Sequence, residues 1–234
     1  MPDVPHAGAI ALQLVMSGDP ALWRIVGLSL AVSLSAVFLA ALIGLPLGAA
    51  LALGRFPGRD LIVVVLNACM GLPPVVVGLA VYLLLSRAGP LGQFGILFTP
   101  AAMVLAQAVL VLPIVAALAR QVIEDLWSEY GEQLRSLGSG RAQSVVTLLW
   151  DGRFALVTVL LAGFGRAVAE VGAVMIVGGN IDGVTRVMTT AIALETSKGD
   201  LPLALGLGIV LIAIVLALNA AAHLLREAAQ RKYG

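Results

Sequence analysis

The sequence predicts an all-α integral membrane protein with five transmembrane helices and a helical elbow on the cytoplasmic side. Apolar residues make up 60% of its 234 residues, charged residues only 12%, and five apolar runs are long enough to cross a bilayer. In a soluble domain about a quarter of the residues are charged. This chain therefore has too few charged residues to surround a core of its size with a solvated surface. Its net charge of +1 gives no electrostatic reason to expect a nucleic acid partner.

Each apolar run is expected to be helical, because the bilayer core offers no water to pair with backbone amides and carbonyls. The five predicted spans are Ile25–Leu53, Leu61–Leu85, Phe98–Ala119, Phe154–Val177 and Leu201–His223. Prolines that predict kinks or helix starts lie in or near them, at Pro46, Pro73, Pro74, Pro100 and Pro113. The run Ala9–Met16 is too short to cross, so we expect it to lie at the membrane interface or to pack on the bundle.

The distribution of lysine and arginine predicts the orientation. Five spans put the two termini on opposite sides, and the loops of one side carry nine basic residues against four on the other. The richer side, predicted to be cytoplasmic, has Arg55, Arg59, Arg120, Arg135, Arg141, Arg153, Arg226, Arg231 and Lys232; the other has Arg24, Arg87, Arg186 and Lys198. The predicted division is an outward-facing segment at residues 1–24, a transmembrane domain at 25–223 and a cytoplasmic tail at 224–234.

The charged insert near the middle of the chain, residues 121–150, is predicted to form the elbow. At helical periodicity Gln121–Leu137 has a polar face and an apolar arc of Val122, Ile123, Leu126, Trp127, Tyr130, Leu134 and Leu137. Gly138-Ser139-Gly140 then ends the helix, since glycine readily adopts the left-handed conformation found at helix ends, and a second helix can begin near Arg141. The polar face is mostly acidic, which favours a groove in a protein partner over lipid headgroups.

The elbow resembles the cytoplasmic motif of importer permeases of the ATP-binding cassette class, in which E-A-A is followed by G and then by I-x-L-P. Glu132, Gly138 and Leu148 stand at the matching spacing, whereas Gln133-Leu134 replace the two alanines and Trp150-Asp151 replace Leu-Pro. The resemblance implies that this elbow docks on a cytoplasmic ATP-binding subunit. The candidate coupling residues are Glu129, Glu132, Arg135, Gly138, Gly140 and Leu148.

Three other stretches are similar to molybdate-type permeases: Leu72–Leu79, Glu170–Ala173 and Gly178–Ile181. The longer run from Gly165 to Lys198 looks closest to the tungstate-specific branch. The resemblance extends from about Leu28 to the C-terminus. It implies an inner-membrane homodimer with two copies of the ATP-binding subunit and an extracytoplasmic tungstate- or molybdate-binding protein. No cofactor is expected.

Two charged residues, Arg166 and Glu170, lie inside the predicted fourth span. At a spacing of four they would share a helix face and could form a structural ion pair. Ionisable residues at membrane depth also mark interfaces and water-filled paths, and nearby small residues would let another backbone approach closely. We favour a role in the translocation path or dimer interface, with Gly172, Pro73 and Pro74 as further candidates.

The outward loop Gly178–Asp200 is long for a plain connector and rich in Thr, Gly and Asn. Its apolar part, Val187–Leu194, is expected to form a short re-entrant or surface helix. We expect the loop to shape the outer mouth and to touch the binding protein. Its candidate residues are Asn180, Asp182 and Arg186.

The sequence has no phosphate-binding G-x-x-x-x-G-K-[ST] motif, so ATP hydrolysis is assigned to a separate subunit and the chain itself is not expected to be an enzyme. His6 and His223 are far apart, and no metal site is expected. Two alternatives remain: an ion-driven secondary carrier, which would usually have inverted repeats and more spans, and an intramembrane enzyme, for which only Arg166 and Glu170 are available at membrane depth.

Overall fold

The computed structural model describes the backbone of residues 4–233 and the side chains of residues 8–224 and 227. Within this part of the chain every regular element is a helix and no strand occurs. The all-α class is therefore confirmed. The side chains of His6, Arg226, Arg231 and Lys232, which entered the sequence interpretation, lie outside the described residues.

Ten α-helices follow one another in the described chain, with a short 3-10 turn at Gly92–Phe94. They are α1 (Val4–Met16), α2 (Pro20–Leu53), α3 (Arg59–Met70), α4 (Pro74–Leu85), α5 (Pro100–Ser136), α6 (Arg141–Asp151), α7 (Arg153–Val168), α8 (Gly172–Gly178), α9 (Met188–Lys198) and α10 (Leu201–Tyr233).

Three helices of the described chain are long and apolar enough to cross a membrane alone: α2, α5 and α10. The pairs α3 with α4 and α6 with α7 each pass only if they are counted as one broken span, so the total lies between three and five. The prediction of one continuous helix over Leu61–Leu85 is wrong, because residues 71–73 interrupt it, but the helix start that Pro73 and Pro74 predict is confirmed at Pro74. Pro74 takes the first position of α4, where a missing backbone N–H leaves no helical bond unmade.

The continuous helix predicted over Phe154–Val177 is also wrong. It is divided into α7 and α8 by residues 169–171, which are not helical. At the other end, α6 and α7 meet at a bend of 76°. Gly152 lies at this bend, where a Cβ would lie 2.8 Å from the Leu126 Cδ1 and 3.1 Å from the Leu148 carbonyl oxygen, so a larger residue would require the Leu126 side chain to shift.

The first of two compact units contains the described residues up to Ser35, with Pro73–Gln107 and Val168–Leu218. In it, α2 begins at Pro20 rather than at Ile25, because Asp19 Oδ1 accepts a hydrogen bond from the Leu22 N–H at 2.9 Å and caps the helix. Ala11 of α1 is fully buried, and its carbonyl oxygen lies 3.5 Å from a Cβ built on Gly206. The run Ala9–Met16 thus packs on α10.

The second unit contains Ala36–Leu72, Ala108–Ala167 and the described residues from Asn219 onward. Small residues let its helices approach closely. A Cβ on Gly48 of α2 would lie 2.9 Å from the Arg120 backbone nitrogen of α5, and one on Gly163 of α7 would lie 2.9 Å from the Val111 Cγ1. The core between these helices consists of fully buried Val111, Val115, Ala116, Ala117 and Ala119.

Candidate functional site

The predicted elbow begins as a direct extension of a spanning helix. The third predicted span, Phe98–Ala119, and the predicted amphipathic helix Gln121–Leu137 are parts of one 37-residue helix, α5. The elbow therefore continues from the spanning helix with no break at residue 120, although Pro113 within α5 cannot donate a helical hydrogen bond.

The turn of the elbow is built on glycine, as the sequence predicts. Gly138 has a φ of +73°, in the left-handed region. The Ser139 N–H donates to the Leu134 carbonyl at 2.9 Å, and the Gly138 N–H donates to the Arg135 carbonyl at 3.0 Å. These bonds satisfy carbonyls that the end of α5 would leave without helical partners. The predicted second helix is α6, which begins at Arg141.

The inner side of the turn is held by two serines. The Ser139 and Ser144 hydroxyls lie 3.2 Å apart, and the Ser144 hydroxyl donates to the Gly140 carbonyl at 3.1 Å. Ser144 is almost fully buried, at 1% exposure. The turn between α5 and α6 is therefore fixed by side-chain as well as backbone hydrogen bonds.

A hydrophobic cluster fastens α6 to the rest of its unit. Leu148 is 1% exposed and lies in one buried cluster with Ile123 of α5 and with Ala49 and Leu53 of α2. The partly buried residues around this cluster are Ala52, Leu126, Trp127, Leu134, Val145 and Leu149. Leu148, a candidate coupling residue, thus lies inside the protein, where it can position the elbow but cannot itself contact a partner.

The outer side of the elbow presents three large apolar side chains to the surroundings. Leu137, Val146 and Trp150 are 81%, 68% and 71% exposed. The apolar arc, predicted to suit a partner's groove, instead packs inward through Ile123, Leu126 and Leu134. Leu137 does not share this arc, because the helix ends at Ser136 and the chain turns away. Glu129, Glu132 and Arg135 are exposed as well. The exposed surface of the elbow therefore combines acidic and apolar groups.

A network of charges joins the start of α3 to α5. The Glu124 carboxylate accepts from the Arg120 guanidinium at 2.5 Å and also from that of Arg59. Arg59 Nε donates in addition to the Leu51 carbonyl at 2.8 Å. The sequence interpretation counted both arginines only as orientation charges. Its one available signal was the spacing of four between Arg120 and Glu124, which is typical of helical ion pairs.

Two aromatic residues of α5 lie next to charged side chains: Trp127 beside Arg135, and Tyr130 beside Glu129. The Arg135 guanidinium lies 5.4 Å from the Trp127 ring centroid, within cation–π distance, while its Nε donates to the Gly131 carbonyl. The hydrogen bond and the negative charge of Glu129 raise the pKa of Tyr130 above its ordinary value.

The two charged residues of the predicted fourth span are not on one helix. Arg166 lies in the last turn of α7, whereas Glu170 lies in the break before α8. Glu170 is 5% exposed, and its Oε1 accepts a hydrogen bond from the Ala173 N–H at 3.0 Å, which caps the start of α8. Its carbonyl accepts from the Thr189 hydroxyl at 2.8 Å. A shared helix face, assumed in the sequence interpretation, is therefore wrong.

The prolines and Gly172 lie where α4 and α8 cross. Pro73 and Pro74 begin α4, and a Cβ on Gly172 would lie 3.0 Å from the Val75 Cγ2. The closer approach is at Gly78, where a Cβ would lie 2.7 Å from the Ala173 Cα. The expectation that small residues admit another backbone is confirmed for Gly172 and Ala173, and the neighbour is α4.

The outer-loop candidates surround a tight turn between α8 and α9. Asn180 has a positive φ of 51°, and Asp182 pairs with Arg186 at 3.2 Å. The sequence interpretation missed Thr185, whose fully buried hydroxyl donates to the Gly178 carbonyl and accepts from the Ile181 N–H. The predicted short helix is α9, and its Met188, Thr189, Thr190, Ala191 and Glu195 are buried.

Among the described residues, no group of three or more His, Cys, Asp or Glu side chains is arranged to hold a metal ion. The polar groups of the elbow turn, of the α8 cap and of the turn around Thr185 each fix a helix end or a turn, and the Glu124 network joins α3 to α5.

Comparison with known proteins identifies the family. The family model described as binding-protein-dependent transport system inner membrane component matches residues 44–234. This chain belongs to that family. It is therefore an inner-membrane component of a transport system rather than an enzyme, and the family implies a substrate-binding protein and an ATP-binding subunit as partners.

Individual relatives of this inner-membrane component carry more specific names. The chain is 42% identical to the tungstate uptake system permease protein TupB of Peptoclostridium acidaminophilum, over 93% of this chain and 95% of the relative. It is 41% identical to a probable anion ABC transporter permease protein of Haloferax volcanii, over 84% and 87%. Identity to the molybdenum transport system permease protein ModB of Escherichia coli is 33%, over 76% and 82%.

Proposed function

We propose that this chain is the permease subunit of an ATP-driven importer and forms the path for a tetrahedral oxyanion, most favourably tungstate and next molybdate. The observation that carries the proposal is the 42% identity to a tungstate uptake permease over nearly the full length of both chains. The relatives named for molybdenum and sulfate transport are 32–33% identical and are covered less completely. An ion-driven carrier or an intramembrane enzyme is disfavoured by the family.

The elbow, residues 121–150, is proposed to couple the permease to its ATP-binding subunit. The exposed apolar side chains Leu137, Val146 and Trp150 would enter a groove of that subunit, and Glu129, Glu132 and Arg135 would set the docking charges. Gly138 and Gly140 would set the bend, while buried Leu148 would transmit force to α2 and α5. A continuous α5 suits this task. Coupling between the ATP-binding subunit and the transport path needs a rigid element whose position is influenced by both.

The working assembly is proposed to be a homodimer with two ATP-binding subunits, the N-terminus outside and the C-terminus in the cytoplasm. When ATP brings the ATP-binding subunits together, the two elbows would follow and the helices would change from an inward- to an outward-facing arrangement. Residues 1–24 would face outward, 25–223 would form the transmembrane domain, and 224–234 would extend into the cytoplasm.

The translocation path or dimer interface is proposed to involve Arg166, Glu170, Gly172, Pro73 and Pro74. The outer loop with Asn180, Asp182 and Arg186 would receive the binding protein. The described structure supports this only by position: Glu170, Gly172 and the two prolines lie at helix breaks or starts. Non-helical backbone at membrane depth is tolerated where it is buried in protein or lines a cavity.

Reconstituted transport tests the function. The permease is placed in proteoliposomes with its ATP-binding subunit and the binding protein, and uptake of tungstate, molybdate and sulfate is measured with and without ATP. We expect ATP-dependent uptake of tungstate at the lowest substrate concentration, then molybdate. Accumulation by the permease alone would refute the importer, and equal transport of all three anions would refute the cargo preference.

The path assignment is tested with matched variants of one residue. Glu170→Gln keeps an oxygen that can cap α8 but removes the charge, whereas Glu170→Ala removes both. If the charge acts in the path, both variants lose uptake. If only the cap matters, Glu170→Gln keeps uptake, and a role of the charge in transport is refuted. Arg166→Gln is expected to reduce uptake while the amount of folded protein stays unchanged.

A further inference from the structure

A small cavity between the elbow and the loop after α2, which we call the elbow cavity, is lined by three exposed arginines and by no carboxylate. Its volume is about 180 Å³, and its lining residues are Leu53, Arg55, Trp127, Arg135, Ser139, Arg141 and Ser144. One water molecule occupies about 30 Å³ in the liquid. The cavity therefore has room for a small polyatomic ion together with some of its hydration.

Among the described side chains, no carboxylate lies within ion-pair distance of Arg55, Arg135 or Arg141. Arg135 uses its Nε on the Gly131 carbonyl, and its remaining N–H groups are not committed to an acidic partner. Like charges that line one small space repel each other, so an anion among them gains from three attractive interactions. Arginine is also the side chain best suited to hold tetrahedral oxyanions, because its planar fork can donate two parallel hydrogen bonds.

Two further features favour an anion of this kind. The helix α6, 11 residues long, starts at Arg141 with no side-chain cap on its first-turn amides, and a helix N-terminus attracts negative charge. The hydroxyls of Ser139 and Ser144 line the same cavity, but the Ser144 hydrogen is donated to the Gly140 carbonyl, so only the Ser139 hydroxyl can turn to donate to an ion. The site thus combines guanidinium and hydroxyl donors beside a helix N-terminus, and proteins use such groups to bind phosphate and related ions.

A wider cleft continues from this cavity. Its volume is about 520 Å³, it is lined by residues 52–61 and Trp127, and it shares Leu53, Arg55 and Trp127 with the smaller cavity. Its one carboxylate, Asp60, is 95% exposed and pairs with Arg59 at 3.3 Å. An ion can therefore reach the three arginines from the solvent through a basic opening.

From this arrangement we infer that the elbow cavity is a binding site for a tetrahedral oxyanion, either a free ion or the phosphate of a lipid headgroup. The ion would bridge the loop after α2, the end of α5 and the start of α6 through Arg55, Arg135 and Arg141. This site is separate from the proposed translocation path, and it does not depend on which anion the importer carries.

Trp127 provides a direct readout, since it lines the cavity and lies under the Arg135 guanidinium. The chain has three tryptophans, so Trp23→Phe with Trp150→Phe leaves Trp127 as the single indole. This variant is purified in a neutral detergent and titrated with sulfate, phosphate and tungstate at constant ionic strength. We expect a saturable change in Trp127 fluorescence with each anion and none with chloride.

Matched charge variants locate the binding. Arg55→Gln and Arg141→Gln are each expected to weaken anion binding about tenfold or more. Arg87→Gln removes the same charge at a residue that does not line this cavity and is expected to leave the affinity unchanged. Arg55→Lys, which keeps the charge but loses the planar fork, is expected to give an intermediate affinity and also guards against a folding defect. Equal affinities in all four variants would overturn the inference.

The source of the phosphate group is distinguished in nanodiscs. Saturable binding of the free ions in purely zwitterionic lipid supports a free oxyanion. Retention of phosphatidylglycerol, lost in Arg55→Gln but not in Arg87→Gln and measured by native mass spectrometry, supports a lipid headgroup. If neither anion nor lipid binds, the inference is wrong. If Arg55→Gln and Arg141→Gln then impair only assembly with the ATP-binding subunit, a carboxylate of that subunit fills the cavity instead. These experiments measure binding and not transport. A failure of the proposed transport function would therefore leave their outcome unchanged.

Discussion

Gly78 of α4 lies directly against Ala173 of α8, so that a Cβ at position 78 would be only 2.7 Å from the Ala173 Cα. Real Cβ atoms do not approach other atoms so closely without a shift of the backbone. The contact explains why both residues are small and both are buried. Ala173 also takes part in the cap of α8, because its N–H donates to Glu170 Oε1. The start of α8 is therefore held both by this cap and by the contact with Gly78.

Enlarging Gly78 should therefore separate α4 from α8. Gly78→Val is expected to lower stability by roughly 1–3 kcal/mol, the usual cost of overpacking a closely packed site, and to abolish uptake. Gly165→Ala is the matched control, because nothing lies within 4 Å of a Cβ at that position. The measurement is the thermal unfolding midpoint in detergent. Equal midpoints for Gly78→Val and the unmodified chain would contradict the close contact.

The left-handed turn at Gly138 can be tested without steric interference, since nothing lies within 4 Å of a Cβ there. Gly138→Val is expected to strain the backbone by about 1–2 kcal/mol, because a β-branched residue disfavours a positive φ. The elbow should change its angle, and ATP hydrolysis in proteoliposomes should lose its dependence on the loaded binding protein.

The controls for Gly138 separate backbone strain from side-chain size. Gly27 of α2 has open space around it and no positive φ, so Gly27→Ala is expected to keep coupled transport. Gly138→Asn should retain most of it, since asparagine tolerates the left-handed conformation. Normal coupling in Gly138→Val would show that the bend is not needed.

Leu148 and Trp150 lie two residues apart on α6, and replacing them by alanine is expected to have different effects. Leu148→Ala should destabilise the protein by about 2–5 kcal/mol, as is typical for a buried leucine. Trp150→Ala, at a 71% exposed position, should leave the unfolding midpoint nearly unchanged but weaken binding of the ATP-binding subunit. Unfolding and co-purification measured on both variants check this. If Trp150→Ala binds the subunit normally, the proposed docking surface is wrong.

The shared carboxylate of Glu124 is expected to hold α3 against α5. Glu124→Gln keeps the shape but leaves Arg59 and Arg120 with a neutral partner, and because Glu124 is one-third exposed we expect a loss of only about 1 kcal/mol. Asp60→Asn should have no measurable effect, since Asp60 is 95% exposed. The unfolding midpoint at low and high salt tests this. A midpoint of Glu124→Gln equal to that of Asp60→Asn would show that the network is not stabilising.

Thr185 should matter more to the outer loop than the charged residues that the sequence suggests. Thr185→Val is nearly isosteric but leaves the Ile181 N–H and the Gly178 carbonyl without their partner, at a cost of about 1–3 kcal/mol. The exposed Thr196→Val serves as control. We expect lower uptake and faster hydrogen exchange at residues 179–186 in Thr185→Val alone. Unchanged exchange would refute the structural role of this hydroxyl.

Half of the Glu124 network was missed in the sequence although a local signal for it exists. Arg120 and Glu124 are four residues apart on one helix, a local relationship that periodicity reveals. Arg59 is 65 positions from Glu124, and no local pattern links them. The pair forms because α2, the loop after it and α5 pack together, which only the three-dimensional fold decides.

The chain alone determined the all-helical membrane class, the positions of α2, α5 and α10, the glycine turn of the elbow and the start of α6. Apolar run length, helical periodicity and glycine at helix ends are local properties, so they can be read from neighbouring residues. Tertiary structure decided the break at residues 169–171, the burial of Leu148 and the grouping of Arg55, Arg135 and Arg141 around one cavity. Those outcomes depend on which distant helices meet, because a helix break of this kind, a buried side chain or a group of like charges forms only where another part of the chain supplies its contacts.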